Sequence, residues 1–176
     1  MIEIIVVRHG ETIENKQRII QGQSEGYLSD YGKQKNKELG VILKHKKINK
    51  IYTSTLIRAV DTAKEIYKHH ANIELEYADS LMEWNLGVLE GKKYPENLEI
   101  TSDWEGKEKP DSVKKRLMLF LDKIVKEHHN KTILLVSHGL TIKVLSTILN
   151  KLPLDNIYKL ELMDNSSFAE FKLYNL

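Results

Sequence analysis

The chain has 176 residues, 41% of them hydrophobic, which is enough for one globular domain with a continuous core. Its 27 basic and 25 acidic side chains leave a formal net charge of +2, too small to gather nucleic acid or anionic lipid by long-range attraction. Cysteine is absent, which excludes disulfides, thiolate metal sites and a cysteine nucleophile. We therefore expect a single domain over residues 1–176 with no nucleic-acid or membrane partner.

The apolar runs of the sequence are of strand length and do not approach the roughly 20 residues of a membrane span. Met1 leads directly into one of them, without the basic region and cleavage site of a signal peptide. These features predict a cytoplasmic protein. The sequence leaves open whether it is a monomer or a homodimer.

The first half of the chain alternates predicted strands and helices. Apolar runs occupy residues 2–7 and 50–53, and residues 73–77 alternate weakly. Runs that are apolar almost throughout are typical of inner strands in a parallel sheet covered on both faces. Between these strands, apolar residues recur at helical spacing. They form a short stripe that begins near Ser29 (Leu39, Ile42 and Leu43) and a longer one (Leu56, Ala59, Val60, Ala63 and Ile66).

The second half begins with residues 92–110, which carry two of the three prolines and little periodicity and predict a surface excursion. A helix capped by Asp111 or Ser112 follows. A strand at 132–136, a helix after Gly139 and a closing pair of strands at 157–163 and 168–174 complete the pattern. This order predicts an α/β fold, a three-layer sandwich with a mostly parallel central sheet and helices on both faces.

Polar side chains follow the predicted strands where ligands bind in open α/β sheets. Arg8 and His9 follow the first strand, Arg58 follows the short second one, and His138 follows the late one. Arginine pairs in bidentate fashion with phosphate oxygens, and a helix that begins at Gly139 would add backbone N–H donors and the positive end of its dipole. Glycine also lets the backbone approach a ligand closely. These residues predict an oxyanion pocket.

His9 is the candidate nucleophile of this pocket. Positively charged neighbours disfavour protonation of an imidazole, so we expect His9 to be neutral at physiological pH. Phosphoryl transfer also needs a proton for the leaving oxygen. Glu83 lies beside Met82 and Trp84, and a carboxyl group among apolar side chains keeps its proton closer to neutral pH. Glu83 is therefore the candidate acid.

Two pairs of adjacent histidines, His69-His70 and His128-His129, could suggest metal ligands. Adjacent helical residues do not face one site, however, and both pairs lie near predicted helix C-termini, where an imidazolium interacts favourably with the helix dipole. We predict no metal site and no cofactor.

Four motifs resemble, in order, those of the histidine phosphatase (phosphoglycerate mutase-like) superfamily. They are Arg8-His9-Gly10-Glu11-Thr12 with Asn15, Ser54-Thr55-Leu56-Ile57-Arg58-Ala59 with Thr62-Ala63, Leu81-Met82-Glu83 with Gly87 and Glu90-Gly91, and Val136-Ser137-His138-Gly139. Because His138 is followed by glycine and not by an acidic residue, the chain is similar to branch 1, which contains phosphoglycerate mutases and fructose-2,6-bisphosphatase.

The resemblance implies a phosphoglycerate mutase-like fold and a metal-independent phosphatase that acts on a small phosphorylated metabolite. It implies that His9 is phosphorylated and that Glu83 first donates a proton and then activates water. It assigns the phosphate and substrate contacts to Arg8, Arg58, His138, Asn15, Gln21 and Gly22. Glu11 and Glu90 are the other carboxylates within the matched motifs.

Two alternatives remain at this stage. A phosphoglycerate mutase would return the phosphoryl group to a glycerate, but mutases of this family carry a long insertion over the active site, and residues 92–110 form a shorter one. A non-catalytic binder of phosphorylated ligands would need the arginines but neither His9 nor Glu83. The presence of both favours the phosphatase.

Overall fold

The computed structural model describes residues 1–70, 72–95 and 100–174. These residues form one sheet of five strands, β1 (Ile2–Arg8), β2 (Lys50–Thr53), β3 (Glu74–Tyr77), β4 (Thr132–Ser137) and β5 (Phe168–Leu173). The strand order is β3-β2-β4-β1-β5, with β5 antiparallel to β1 and the other pairs parallel. The mostly parallel sheet predicted from the sequence is confirmed.

Helices cover both faces of this sheet. They are α1 (Ile13–Lys16), α2 (Asp30–Leu43), α3 (Ile57–Tyr67), α4 (Pro110–Glu127) and α5 (Gly139–Leu149), with short 3-10 helices at Asp79–Leu81, Gly87–Leu89 and Leu154–Tyr158. Within the described ranges, no helix is both long and apolar enough to cross a membrane.

The alternation of side chains along β1 explains why this strand is apolar at nearly every position. Ile5 and Val7 pack in a buried cluster with residues of α2 and α3 on one face. Ile4 and Val6 pack with residues of α4 and α5 on the other. Both faces are buried, so the strand has no solvent side. The three-layer α/β sandwich is confirmed.

Of the two closing strands predicted from the sequence, only the second is present. Residues 168–173 form β5 at the edge of the sheet, but residues 154–158 form a 3-10 helix and residues 161–164 are irregular. Ile157 is buried against the α5 side of the core, whereas Leu162 is 46% exposed. The apolar residues of 157–163 alternate because Ile157 contacts the core and Leu162 lines a surface cleft. They do not form a strand, since β5 occupies the position beside β1.

Helix starts also differ in part from the sequence-based prediction. Ser29 caps α2 as expected, since its side chain accepts a hydrogen bond from the N–H of Gly32 at 3.0 Å. For α4, neither Asp111 nor Ser112 is the cap. That helix begins at Pro110, whose fixed φ and missing N–H suit the first helical position, and the preceding residue makes no side-chain cap.

The segment at 92–110 is partly tied to the core. Residues 96–99 lie outside the described residues, so the predicted excursion is not described over that stretch. Further along, Trp104 packs against the core, and its Nε1 donates a hydrogen bond to the carbonyl of Leu86 at 2.7 Å.

The packing of α4 gives a test of this core. Leu121 is fully buried and Leu119, on the same helix, is 65% exposed. We expect Leu121→Ala to lower the free energy of unfolding by about 2–5 kcal/mol, because the missing atoms leave a cavity. The matched Leu119→Ala should change it by no more than about 0.5 kcal/mol. Urea unfolding of both variants measures the difference, and equal losses would contradict this orientation of α4.

Candidate active site

A cleft of about 240 Å³ lies at the carboxyl ends of β1 and β4. Eight of the residues predicted from the sequence line it, namely Arg8, His9, Asn15, Gln21, Gly22, Arg58, Glu83 and Gly139. His138 is fully buried behind the cleft, and its ring centroid lies 5.0 Å from that of His9. The fold therefore brings together residues that are widely separated in the sequence.

His9 directly follows β1 and is 3% exposed. Its Nδ1 lies 2.8 Å from the carbonyl oxygen of Gly10. A carbonyl oxygen can only accept, so Nδ1 carries the proton, and the neutral ring keeps a lone pair on Nε2. Burial and the guanidinium groups of Arg58 and Arg8 hold the pKa of His9 well below its usual value. His9 is thus a neutral imidazole with Nε2 available for attack.

His138 is also held neutral. Burial and the nearby charge of Arg58 lower the pKa of His138 well below its usual value. Its Nε2 lies 2.7 Å from Oγ of Ser54, which accepts an N–H from Leu56 and so has its own proton free to donate. This arrangement leaves the ring proton of His138 on Nδ1, an atom with no hydrogen-bond partner in the structure.

The two arginines are anchored by backbone carbonyls. Arg58 is 1% exposed and donates from Nη1 to the carbonyl of Ser24 at 3.0 Å and from Nη2 to that of Gly22 at 2.6 Å. Arg8 donates from Nη1 to the carbonyl of Met163. Burial lowers the pKa of both arginines and the charge of Glu83 opposes this shift, but a guanidinium stays protonated in proteins. The Nε atoms of both are buried without a partner.

Glu83 is 9% exposed, and its setting differs from the apolar one expected from the sequence. Its carboxylate accepts hydrogen bonds from the backbone N–H groups of Trp84, Leu140 and Thr141 at 3.0, 3.0 and 2.9 Å, and from the hydroxyl of Thr141 at 3.0 Å. The negative charge thereby caps the N-terminus of α5, where the helix dipole favours it. Oε2 accepts only the Leu140 N–H, so it is the oxygen with room for a proton.

This contact corrects a second expectation. The sequence predicted that the first-turn N–H groups of α5 would bind the oxyanion. In the structure, those of Leu140 and Thr141 donate hydrogen bonds to Glu83 instead. Gly139 still lines the cleft, and a Cβ there would lie 2.8 Å from Leu162 and 3.4 Å from Arg8. The glycine is required for this close approach.

The three remaining predicted contacts differ in how they are held. Oδ1 of Asn15 accepts the N–H of Thr12 in the capping box of α1, so its amide nitrogen is the group left to donate. Gln21 is 8% exposed, with Oε1 unpartnered. Gly22 has a φ of 54°, a left-handed conformation that favours glycine.

The other motif carboxylates are engaged outside the cleft. Glu90 accepts the N–H groups of Gln23 and Leu86 at 2.9 and 2.8 Å. Glu11 accepts the hydroxyl of Ser29. Neither lines the cleft, which leaves Glu83 as the carboxylate beside His9.

A buried polar network that the sequence analysis missed supports His9 from behind. The N–H of Gly10 donates to Oγ1 of Thr62 at 3.0 Å, and Nδ2 of Asn36 donates to the same oxygen at 2.9 Å. The Thr62 hydroxyl donates to the carbonyl of Arg58, and Ser166 donates to Oδ1 of Asn36, both at 2.8 Å. The one signal for this network in the sequence was Asn36, a polar residue that lies three positions before Leu39 and therefore on the buried side of α2.

The apolar wall of the cleft was likewise not predicted from the sequence. It consists of Ile19, Ile20, Leu86, Tyr94, Leu140 and Leu162. Tyr94 comes from a segment without regular periodicity and Leu162 from one predicted to be a strand, so no pattern in the sequence indicated that they meet.

The histidine pairs lie away from the cleft, at the ends of helices. His128 is the C-cap of α4, with Nε2 3.0 Å from the hydroxyl of Tyr52, and Nε2 of His70, beyond α3, lies 3.2 Å from the carbonyl of Leu43. Within the part of the chain that the structure describes, no group of three or more His, Asp or Glu side chains is placed to hold a metal ion.

Comparison with known proteins gives consistent matches. The family model described as histidine phosphatase superfamily (branch 1) matches residues 4–175. Phosphoglycerate mutase-like protein 4 of Arabidopsis thaliana is 31% identical over 98% of this chain and 80% of its own length. Phosphoserine phosphatase 1 of Hydrogenobacter thermophilus is 30% identical over 96% and 85%. A mycobacterial glucosyl-3-phosphoglycerate phosphatase, solved in complex with VO3, superposes with a TM-score of 0.86 at 26% identity over 96% and 90%.

The network behind His9 generates a test. Asn36→Asp preserves the side-chain volume but removes the N–H donor to Thr62, so we expect the Gly10 peptide and the His9 ring to lose their alignment. The rate of p-nitrophenyl phosphate hydrolysis should fall at least about 10-fold, while vanadate affinity changes less, because the arginines remain in place. Asn130→Asp, in an exposed turn, is the matched control. An unchanged rate in folded Asn36→Asp would show that the network does not position the nucleophile.

Proposed function

The chain belongs to branch 1 of the histidine phosphatase superfamily and is a hydrolase of phosphate monoesters, and we propose that it acts on small phosphorylated metabolites through a phosphohistidine on His9, with Glu83 as proton donor. The substrate names of its relatives differ from one another, so none of them is carried over to this chain.

One observation carries this proposal: the side chains next to a neutral nucleophile include buried N–H donors without a partner. Within the described residues, the buried side-chain atoms without a partner include Nε of Arg8, Nε of Arg58 and Nδ1 of His138. Buried donors are normally paired, so three of them beside one cleft fit an anion with several oxygens. Nε2 of His9, in the same cleft, carries the lone pair that would attack phosphorus.

The first half of the reaction uses His9 and Glu83 together. Nε2 of His9 attacks phosphorus, the N–P bond forms, and the bond between phosphorus and the ester oxygen breaks in line with it. A protonated Glu83 gives its proton to the departing oxygen, which leaves as an alcohol. The guanidinium groups of Arg8 and Arg58 stabilise the negative charge on the phosphoryl oxygens.

Hydrolysis of the phosphohistidine completes the cycle. The Glu83 carboxylate takes a proton from water, the water oxygen attacks phosphorus, and the N–P bond breaks to restore neutral His9 and release phosphate. Water reaches this site because Tyr94 and Leu162, at the mouth of the cleft, are 45% and 46% exposed.

A phosphoglycerate mutase would form the same phosphohistidine but would return the group to a glycerate. Incubation with 3-phosphoglycerate separates the two. Release of inorganic phosphate supports the phosphatase, whereas formation of 2-phosphoglycerate without phosphate would contradict it.

The two histidines should respond differently to substitution. His9→Ala removes the nucleophile, so we expect loss of both turnover and acid-labile phosphate labelling. His138→Ala removes one donor to the transition state, which typically costs about 10²–10³ in rate, but leaves His9 able to be labelled. Rapid-quench labelling with a ³²P ester measures both, and labelling that persists in His9→Ala would reassign the nucleophile.

Substitution of Glu83 should depend on the leaving group. Glu83→Gln cannot donate or accept the proton, so we expect severe slowing with alkyl phosphates, whose leaving oxygens are strongly basic. With p-nitrophenyl phosphate, formation of the phosphohistidine should suffer much less, and its slow hydrolysis should trap it. Pre-steady-state kinetics on both substrates measures this. Equal losses without accumulated phosphoenzyme would remove Glu83 from the role of acid and base.

A further inference from the structure

We propose that the cleft selects monophosphate esters whose organic group is uncharged and partly apolar, and discriminates against esters that also carry a carboxylate. This inference rests on the proposed function. It concerns the part of the cleft beyond Arg8, His9 and Arg58, where the organic group of the ester would lie.

The charges of the cleft give the first reason. Among its described lining residues, the cationic side chains are those of Arg8 and Arg58, and both belong to the phosphate pocket. The Lys92 and Lys93 side chains are exposed, and residues 96–99, outside the described part, contain no Lys or Arg. The lining carboxylate is Glu83. A carboxylate on the organic group would therefore lose its hydration in the cleft without a cation of its own, which is unfavourable.

The wall beyond the phosphate pocket gives the second reason, because it is largely apolar. Side chains from five separate segments contribute to it, namely Ile19, Ile20, Leu86, Tyr94, Leu140 and Leu162. An alkyl or aryl group that buries itself against this wall gains about 25 cal/mol for each Å² of apolar surface removed from water. The cleft volume of about 240 Å³ lies below the roughly 300–1,000 Å³ of sites for drug-sized ligands, so the group must be small.

Backbone hydrogen bonds fix Tyr94 on one side of this wall. The N–H of Tyr94 donates to the carbonyl of Arg18, and neighbouring bonds join Ile20 to Lys92 and Gly91 to Ile20, all at 2.8 Å. Burial and Glu83 raise the pKa of the Tyr94 phenol, with Arg8 opposing, so the hydroxyl stays uncharged. Tyr94 therefore has a fixed backbone position and presents a neutral phenol to the ligand.

Leu162 is held across the cleft, close to the phosphate pocket. Nη1 of Arg8 donates to the carbonyl of Met163, the residue after Leu162. This bond ties the segment that carries Leu162 to the phosphate-binding side chain. A Leu162 methyl lies 2.8 Å from the position that a Cβ on Gly139 would take. A cation at position 162 would accordingly stand beside the organic group of a bound ester.

Two esters matched in shape test this selection. 3-Methylbutyl phosphate and 2-carboxyethyl phosphate both have primary alkoxide leaving groups and differ mainly in an isopropyl group against a carboxylate. We expect kcat/KM to favour 3-methylbutyl phosphate by at least about 10-fold, equivalent to about 1.4 kcal/mol. Equal values, or a preference for the carboxylate, would overturn the inference.

A charge substitution tests whether Leu162 lies beside the organic group of the bound ester. Leu162→Lys should narrow or reverse the preference by improving kcat/KM for 2-carboxyethyl phosphate, because it places a cation beside the carboxylate. Leu160→Lys is the matched control, since Leu160 lies in the same segment but does not line the cleft, and it should leave the ratio unchanged. If both lysine variants shift the ratio equally, general charge attraction explains it and the assignment of Leu162 is overturned.

Labelling with p-nitrophenyl phosphate separates failure of this inference from failure of the proposed function. If His9 is labelled and turnover occurs, but the two alkyl esters react equally, only the selection is wrong. If no phosphohistidine forms with any of the three esters, the proposed function fails, and the inference fails with it.

Discussion

The hydrogen bond from Nδ1 of His9 to the carbonyl of Gly10 is the contact on which the site depends. It fixes the proton on one ring nitrogen and leaves the other with the lone pair that phosphoryl transfer requires. The lone pair on Nε2 exists only because the ring is neutral, and the ring is neutral because it is buried beside two guanidinium groups. Burial, tautomer and nucleophilicity are thus consequences of one location, the end of a central strand.

Placing two arginines in that location is unfavourable unless their charge is compensated. The structure compensates it with the charge of Glu83 and with backbone carbonyls, since Arg58 is bonded to Gly22 and Ser24 and Arg8 to Met163. The same bonds hold the loops that carry Gln21 and Leu162 against the cleft. The two arginines and the apolar wall of the cleft are therefore stabilised by shared contacts, and a change in either arginine would disturb both.

Glu83, the proposed proton donor, is held through both of its carboxylate oxygens. As an anion it caps α5 through Leu140 and Thr141, and it faces His9 across the cleft. The three bonds to Oε1 hold the group in place, and Oε2 accepts the N–H of Leu140. The cap thus orients the acid.

The sequence by itself determined the parallel strands, the helices that cover them and the residues that follow the strand ends, because these features are written in local periodicity and in contiguous motifs. It did not determine the start of α4, the conformation of 157–163, the environment of Glu83, or the positions of Asn36, Tyr94 and Leu162. Each of these depends on partners far away in the chain: Arg8 bonds to a residue 155 positions later, and Glu83 to one 58 positions later. Tertiary packing alone brings such partners together, so only the folded structure shows which donors remain unpaired and which side chains form the wall of the cleft.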